Sequence, residues 1–545
     1  MTVSTEMQIP VPGRASTWAV GALQTPLLFL AAAALYTITI GTTPVRVDEY
    51  YTTFAARSWA ENGSFAILDG EYTRARLFTM LIGAAFDLFG STSIWIARVP
   101  TALMAAGLVT LVFAWVKNRA GTTAAIIAAL TLALSGYTLD VAHFTRFYAP
   151  QALLVLGAAI LIYAAAAQAG TAMVWRLAGA AALLLLGLHL QPTTAIAAAA
   201  LALWFAAARF QWIMAMVRRR PWLALITTVS CVIFAVMILP PMMQKFLSAS
   251  VWAQEHQYDR LFYLREFYRQ IPLILILTPV AAALALRRDR SLALLSIIMI
   301  SVALLVHSFA AMKAGRYVYY AMPFVAILFG LAVARPADAA LAAGRRVLSG
   351  FGLPSELAGI GAGAIVLGVG VTALLVNSSY RHTASALLHG LTDLRSLAHL
   401  SDPSDPLWDE QEAALRRAVG PADFLVASDD LRTIVHIRPH DMLINPSHLS
   451  DLGATRDFTR DVRTGRPVLG SAAGMDRVIN CRASGVIVID DAHWRTAKGV
   501  PAEVADLIEQ RTSPVRPAVP YFHIFRWEHR PTAPCPWMSS ERHAA

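Results

Sequence analysis

Two adjacent carboxylates follow the first long apolar stretch of the chain. Asp48 and Glu49 stand a few residues beyond Ile40, where that stretch ends. Charge this close to a membrane boundary is costly unless the protein uses it. The pair is therefore either a cap on a helix that begins near Tyr51, in a loop that has reached water, or part of a reactive site. If the chain is extended here, the two side chains alternate in direction and are not equivalent.

Basic and aromatic side chains are predicted to lie on the same face of the membrane as this acidic pair. Arginine holds two phosphate oxygens at once through its planar fork. The candidate phosphate-binding residues are Arg146, Arg316, Lys313, Arg74 and Arg76, and the further site candidates are Tyr148, Tyr317, Tyr320 and His189. The alternative for each arginine is a side chain that snorkels to the interface. A carboxylate base with a phosphate clamp suits transfer of a group from a lipid phosphate to a hydroxyl.

The composition is that of a polytopic membrane protein. The 545 residues are 57% hydrophobic and 15% charged, with a mean hydropathy of +0.53. These values exclude an ordinary soluble protein of this size. The net charge of +10 does not indicate nucleic-acid binding, because the arginines cluster at the ends of apolar stretches, where they orient helices in the bilayer.

The lengths of the apolar stretches and their lack of alternation predict about eleven transmembrane helices. They are Leu23–Ile40, Val99–Val116, Ala120–Gly136, Ala149–Gln168, Leu177–Leu190, Thr193–Ala208, Trp222–Pro240, Ile271–Leu286, Ser291–Ala311, Tyr319–Ala334 and Leu357–Val376. Basic clusters, such as Arg218 to Arg220, all fall on the face of the amino terminus. By the positive-inside tendency that face is cytoplasmic, and the chain after Val376 lies outside.

Two outer segments are predicted to have structure of their own. The long first outer loop, residues 41–98, has amphipathic stretches at Tyr51–Trp59 and Leu77–Phe89 that suit interfacial helices. Residues 377–545 are predicted to form an extracytoplasmic α/β domain with a partly parallel sheet, separate from a transmembrane domain of residues 1–376. Its predicted strands are Asp423–Ala427, Gly485–Ile489 and His523–Trp527, and its predicted helices are Asp409–Val419 and Val504–Arg511. Cys481 and Cys535 are candidates for a disulfide there.

Several motifs of the membrane half, in this order, resemble the GT-C glycosyltransferases of the protein O-mannosyltransferase and aminoarabinose-transferase type. The motifs are Asp48-Glu49-Tyr50, Trp59 with Gly63, Phe86 to Ser91, Ala97 to Pro100, Arg146-Phe147-Tyr148, and Gly315-Arg316-Tyr317 through Pro323. The resemblance covers roughly residues 41–334. One departure is Tyr72 to Leu77, where many members have a proline-rich stretch, and it leaves the acceptor open.

The resemblance implies an α-helical polytopic GT-C fold and an inverting transfer. An acidic residue of the first loop deprotonates an acceptor hydroxyl, and a polyprenyl phosphate held by arginine leaves. We take Asp48 as this base, because it leads the acidic pair and stands nearest the membrane edge, with Glu49 in support and Asp69, Glu71 and Asp140 as reserves. The implied partners are a polyprenyl-phosphate-linked sugar, the membrane, and a lipid, glycan or protein acceptor, at the outer face of a bacterial inner membrane. A divalent metal is left open as a cofactor, although no Asp-x-Asp triplet occurs.

Two other functional classes remain open at this point. A transporter or flippase of a lipid-linked saccharide fits the polytopic topology and the break at Gln191-Pro192. Transporters, however, place polar groups near the midplane of repeated halves, whereas here the polar residues cluster on one face. A scaffold protein that works through its outer domain is the third class.

Overall fold

A computed structural model of the chain contains two compact units. The helical unit comprises the described residues within Met1–Thr43, Trp95–Gln244 and His256–Ser401, and the α/β unit comprises those within Pro44–Ile94 and Asp402–Ala545. The structure describes residues 18–222, 256, 258–392, 405–421, 423–446, 457–497 and 499–535, with scattered positions between 225 and 237. The domain limits predicted from the sequence, 1–376 and 377–545, stay a prediction.

The described residues are mainly helical. In chain order the helices are α1 Trp18–Ile38, α2 Val47–Asn62, α3 Arg76–Phe89, α4 Ile94–Ala120, α5 Thr122–Ala133, α6 Gly136–Ala142, α7 Tyr148–Ala166, α8 Thr171–Leu190, α9 Thr194–Ala208, α10 Phe210–Arg219, α11 Phe262–Gln270, α12 Pro272–Arg288, α13 Arg290–Phe309, α14 Met322–Gly350, α15 Ser355–Leu375, α16 Ser378–Thr392, α17 Pro406–Ala418, α18 Asp430–His436, α19 Ala472–Cys481 and α20 Ala502–Arg511. Short 3₁₀ helices cover Ile40–Thr42 and Gly315–Ala321.

The strands are short, and most lie in the carboxy-terminal part of the chain. They are β1 Ala66–Ile67, β2 Gly70–Glu71, β3 Phe424–Ala427, β4 Met442–Ile444, β5 Phe458–Arg460, β6 Pro467–Leu469, β7 Ser484–Asp490, β8 Ser513–Pro514 and β9 Phe522–Glu528. The strands β1 and β2 form an antiparallel hairpin in the first loop.

The helical unit confirms the predicted polytopic membrane fold. Seven helical segments of the described chain are long and apolar enough to span a membrane, and three bent helix pairs raise the number to as many as ten. These ten fall on ten of the eleven predicted spans. The remaining one, Trp222–Pro240, lies mostly outside the described residues. The bends were not predicted, and the sharpest, 108°, separates α11 from α12.

The carboxy-terminal α/β domain, by which we mean the described residues from 405 to 535, is built on a seven-stranded sheet. The strand order is β5-β6-β4-β3-β7-β9-β8. The strands β6, β4, β3 and β7 run parallel, β5 pairs antiparallel with β6, and β9 pairs antiparallel with both β7 and β8. One face of the sheet packs on α19 and α20 and the other on α17 and the end of α18. The partly parallel sheet predicted from the sequence is confirmed, and β4, β5, β6 and β8 were missed.

A disulfide joins Cys481, at the end of α19, to Cys535 in the carboxy-terminal segment. The sequence had named these two cysteines as candidates. The bond ties the chain that follows β9 back to the sheet domain.

The two predicted helices of the first loop are present as α2 and α3, which pack against each other. Gly63 and Gly90 end them with positive φ angles of 73° and 62°, a conformation that glycine adopts without strain. At the crossing, a Cβ on Gly83 would collide with the indole of Trp59, so glycine is required for this close approach.

Candidate active site

The acidic pair lies in the first turn of helix α2, in the α/β unit. The helix begins at Val47, with Arg46 in extended conformation before it, and carboxylates are favourable beside the positive end of a helix. Glu49 is fully buried, and its Oε1 accepts a hydrogen bond of 3.1 Å from the backbone N–H of Arg46. Asp48 is half-buried. Glu49 therefore caps the start of the helix, and Asp48 is the more accessible carboxylate.

The chain is helical and not extended at Asp48 and Glu49, so the alternation considered for an extended chain does not apply. In a helix, successive side chains are separated by about 100° around the axis, not by the alternation of a strand. The two acids differ for another reason: the surroundings of α2 bury Glu49 completely, and its carboxylate is committed to the backbone.

The segment of the helical unit that leads towards this motif is firmly held. Arg98 is fully buried and donates from Nη1 to the backbone carbonyls of Ile40 at 2.9 Å and Thr43 at 2.8 Å. The ring of His143, also fully buried, lies 2.9 Å from the hydroxyl of Thr43 and 3.1 Å from that of Thr39. Arg98 belongs to the Ala97–Pro100 motif, and the structure gives it a positioning role that the sequence analysis did not assign.

Four of the predicted site residues come together in the helical unit. We call these four the arginine–aromatic cluster: Arg146, Tyr148, Arg316 and Tyr317. The rings of Tyr148 and Tyr317 lie 6.1 Å apart, and Phe144 stacks on Tyr148 at 5.9 Å. The guanidinium of Arg316 lies 5.6 Å from the Phe144 ring centroid and 5.5 Å from that of Tyr317. Aromatic faces attract guanidinium groups, so these rings hold the arginines in place.

The two arginines of the cluster differ in exposure. Arg146 is only 4% exposed and packs on Phe147 at 5.1 Å, whereas Arg316 is half-buried. A snorkelling arginine keeps its guanidinium in water. The burial of Arg146 inside the helical unit therefore disfavours the snorkel interpretation for this residue.

Lys313 and Tyr320 lie in the same part of the chain as Arg316. Lys313 is 7% exposed, and its Nζ donates to the carbonyls of Ala310 at 2.7 Å and His256 at 2.8 Å. Tyr320 is buried against His307, with ring centroids 6.1 Å apart. His189, at the end of α8, is exposed and lies outside these contacts.

The remaining candidates are distributed over both units. Arg74 and Arg76 are exposed in the α/β unit, and Arg76 forms a salt bridge of 3.0 Å with Glu71. Among the reserve acids, Asp69 is exposed and lies 3.2 Å from Arg466. Asp140, in the helical unit, is 3.9 Å from His382. Both first-loop reserves are therefore engaged in ion pairs at the surface.

The carboxy-terminal α/β domain contains polar contacts that the sequence analysis missed. The hydroxyl of Tyr51 in α2 donates to Oδ2 of Asp430 at 2.5 Å. Burial, and then the neighbouring Asp429 carboxylate, raise the pKa of Asp430 to about 7. The signal in the sequence was the acidic pair Asp429-Asp430, which follows the apolar strand Phe424–Ala427 after Ser428, at the edge where parallel sheets place functional groups.

Two groups of side chains in the described chain have the composition and spacing of metal ligands. They are Asp409, Glu412 and His436, and Asp429, Asp490 and His493, with ligand atoms within 4.8 Å of one another in each. In the second group the His493 Nδ1 lies 2.8 Å from Asp490, which raises the pKa of this histidine although burial opposes it. Both groups belong to the carboxy-terminal domain, and neither includes Asp48 or Glu49.

The comparisons with known proteins bear on the fold. ArnT from Cupriavidus metallidurans in the apo state matches with a TM-score of 0.55 and 17% identity over 93% of this chain and 98% of ArnT. The same protein bound to undecaprenyl phosphate matches with a TM-score of 0.54, 16% identity and the same coverage. The oligosaccharyltransferase AglB from Archaeoglobus fulgidus, in complex with an inhibitory peptide and a dolichol-phosphate, matches with a TM-score of 0.54 and 12% identity over 78% of this chain and 65% of AglB. The chain has the GT-C fold.

The likeness to ArnT extends over nearly the whole chain, including the carboxy-terminal domain. No protein-family model and no curated protein matches the sequence. The fold predicted from the motif resemblance is confirmed, while the roles of the individual site residues stay predictions.

Proposed function

We propose that the protein is an inverting membrane glycosyltransferase that moves a sugar from a polyprenyl-phosphate donor to an acceptor hydroxyl at the extracytoplasmic face. One observation carries the proposal: the chain shares the fold of ArnT over 93% of its length, and ArnT binds undecaprenyl phosphate. The acidic motif and the buried arginine of this chain support the same chemistry.

In the proposed reaction the acceptor oxygen attacks the anomeric carbon as the bond from that carbon to the phosphate oxygen breaks. Asp48 takes the hydroxyl proton, and the polyprenyl phosphate leaves with the bonding electrons. Attack opposite the leaving group inverts the anomeric configuration. A positioned base contributes about 10²–10⁴-fold to such a step.

The arginine–aromatic cluster is proposed to hold the donor phosphate. Charge-assisted hydrogen bonds from a guanidinium to phosphate are short and strong, and packing against Phe144, Phe147 and Tyr317 orients the two guanidinium groups before the donor arrives. Asp48 belongs to the α/β unit and this cluster to the helical unit.

The disulfide supports the extracytoplasmic orientation. Disulfides persist in oxidising compartments and are rare in the cytosol, and Cys481 and Cys535 are bonded to each other in the carboxy-terminal domain. This agrees with the positive-inside argument, which places residues after Val376 outside.

The test is transfer of radiolabelled sugar from polyprenyl-phosphate donors to a panel of lipid, glycan and protein acceptors, with the purified protein in liposomes. We expect the wild type to turn over and Asp48→Asn to lose at least about a hundredfold in turnover while it still binds donor. Glu61→Gln, at an exposed position of the same helix, is the matched control. Translocation of the labelled lipid without transfer would identify a flippase instead. Near-wild-type turnover of Asp48→Asn would remove Asp48 from the role of base.

A further inference from the structure

Helix α2 is attached to the carboxy-terminal domain through the side chain of Tyr51. The hydroxyl of Tyr51 donates to Oδ2 of Asp430 at 2.5 Å, although 379 residues separate them in the chain. The guanidinium of Arg463 lies 4.7 Å from the centroid of the Tyr51 ring, and Tyr72 stacks on this ring at 5.8 Å. Tyr51 is only 6% exposed, and these contacts fix both its hydroxyl and its ring.

The hairpin that follows α2 makes a second attachment to the same domain. The backbone N–H of Asp69 donates to the carbonyl of Thr464 at 3.0 Å, and the carboxylate of Asp69 lies 3.2 Å from Arg466. Gly70 and Gly465 meet backbone to backbone, and a Cβ on either residue would collide with the other segment. Gly465 also has a φ of 69°, which favours glycine. The sequence is therefore adapted to this close approach at both segments.

An apolar contact completes the attachment. Leu431, which follows Asp430 in α18, is fully buried in one cluster with Tyr50, Tyr51 and Ala55 of α2. Tyr50 and Tyr51 are the residues directly after the acidic pair. The contact thus lies along the amino-terminal half of α2, and not at its carboxy-terminal end near Asn62.

We propose that the carboxy-terminal domain is a positioning domain for the acidic helix, with Asp430 and Arg463 as positioning residues that act through Tyr51. Asp48 and Tyr51 are three residues apart on a helix, which makes them neighbours on one face. Fixing Tyr51 therefore fixes the direction of the turn that carries Asp48. The catalytic part of this inference rests on the proposed function, because it takes Asp48 as the base, and a base displaced by about 1 Å loses about a hundredfold in rate.

The first readout does not depend on activity. Hydrogen exchange of the α2 backbone amides is measured in the full-length protein for the wild type, for Tyr51→Phe, which removes only the hydroxyl, and for the control Tyr521→Phe, at an exposed position of the same domain. We expect at least about fivefold faster exchange in α2 for Tyr51→Phe and no change for the control. Unchanged exchange in Tyr51→Phe overturns the proposal.

The second readout separates positioning from a merely structural contact. In the transfer assay, Tyr51→Phe is expected to lower kcat about tenfold with the donor KM within about twofold of wild type. Asp430→Asn keeps an acceptor for the tyrosine hydroxyl, so its kcat should fall less than that of Asp430→Ala. Asp506→Ala, at an exposed acid of the carboxy-terminal domain, is the control. Faster exchange with unchanged kcat overturns the positioning role. If the wild type transfers no sugar but the exchange result holds, the glycosyltransferase proposal fails and the attachment of α2 stands.

Discussion

Arg146 packs on Phe147, Arg316 packs on Phe144 and Tyr317, and both arginines are proposed to bind the donor phosphate. Because the fork binds two phosphate oxygens, Arg316→Ala should raise the donor KM about 10- to 100-fold and Arg316→Lys less, since lysine keeps the charge but not the fork. Arg146→Ala should raise it as well. Initial rates at varied donor concentration measure these effects, with Arg176→Ala in α8 as control. Wild-type KM values for both alanine variants at equal expression would return Arg316 to an interfacial snorkel and leave the buried Arg146 with a packing role only.

Glu49 is expected to contribute to the helix rather than to the chemistry. Its carboxylate is buried on the backbone N–H of Arg46, and a glutamine offers the same acceptor oxygen. We therefore predict that Glu49→Gln loses less than about tenfold in turnover, whereas Glu49→Ala lowers the melting temperature because the N–H is left without this acceptor. Thermal unfolding and transfer rates of the two variants decide this. A loss in Glu49→Gln as large as in Asp48→Asn would make Glu49 the base or its partner.

For individual residues, the sequence identified the residue types better than their surroundings. The acidic pair and the two arginines stood out because charge beside apolar spans is unusual, and their roles stay predictions. The helical start at Val47 was missed, since two polar residues before an amphipathic stretch fit a loop equally well. The Tyr51–Asp430 hydrogen bond was not predictable, because it joins residues 379 positions apart and no local pattern encodes such a pair.

The junction between α2 and α18 is expected to respond to pH through Asp430. Burial and Asp429 raise the pKa of Asp430 to about 7, from 3.8, and the other groups around it are Tyr51 of α2, Asp461 and Arg463 after β5, and His440. Between these two values the folded protein holds a proton that the unfolded chain releases. Stability from this group is therefore present at low pH and is lost as the pH rises towards 7.

The measurement is the melting temperature of the detergent-solubilised protein between pH 5 and pH 8, compared with that of Asp430→Asn, which cannot ionise. We expect the wild type, relative to the variant, to lose at least about 3 °C on going from pH 5 to pH 8. Asp506→Asn, at an exposed carboxylate, should show the same change in melting temperature between pH 5 and pH 8 as the wild type. Parallel curves for the wild type and Asp430→Asn would contradict a raised pKa at this position.

Elements were predictable where one physical signal dominates. Long apolar stretches located ten spans in the described chain, since length and hydropathy alone set them. The strand Met442–Ile444 was missed because a three-residue buried strand shows no alternation. The bends of 62° after Ala133 and 108° between α11 and α12 were missed. The second falls at Ile271-Pro272, where proline favours a helix break, and the sequence analysis did not use this local signal.

For the whole molecule, the prediction concerns membrane orientation, that is, which parts of the chain lie on the cytoplasmic side and which on the outer side. Helix α10 follows α9 at a bend of 79°. It exposes Phe210 and Trp212 and has Arg218 and Arg219 in its last turn. An amphipathic helix with exposed aromatic residues and arginines suits the membrane interface, and its positive charge favours the cytoplasmic side. We therefore predict that α10 is cytoplasmic and the carboxy-terminal domain extracytoplasmic.

Reporter fusions test this orientation in the full chain. Alkaline phosphatase, which folds only where disulfides form, should be active when fused after Ala545 or near Pro403 and inactive when fused after Arg219. Green fluorescent protein should give the reverse pattern: it should fluoresce when fused after Arg219, in the cytosol, and not when fused after Ala545 or near Pro403. Spheroplasts provide the control: external protease should remove the carboxy-terminal domain of the intact protein and leave α10 uncut. Protection of that domain would invert the topology, place the Cys481–Cys535 bond in a reducing compartment, and rule out transfer at the outer face.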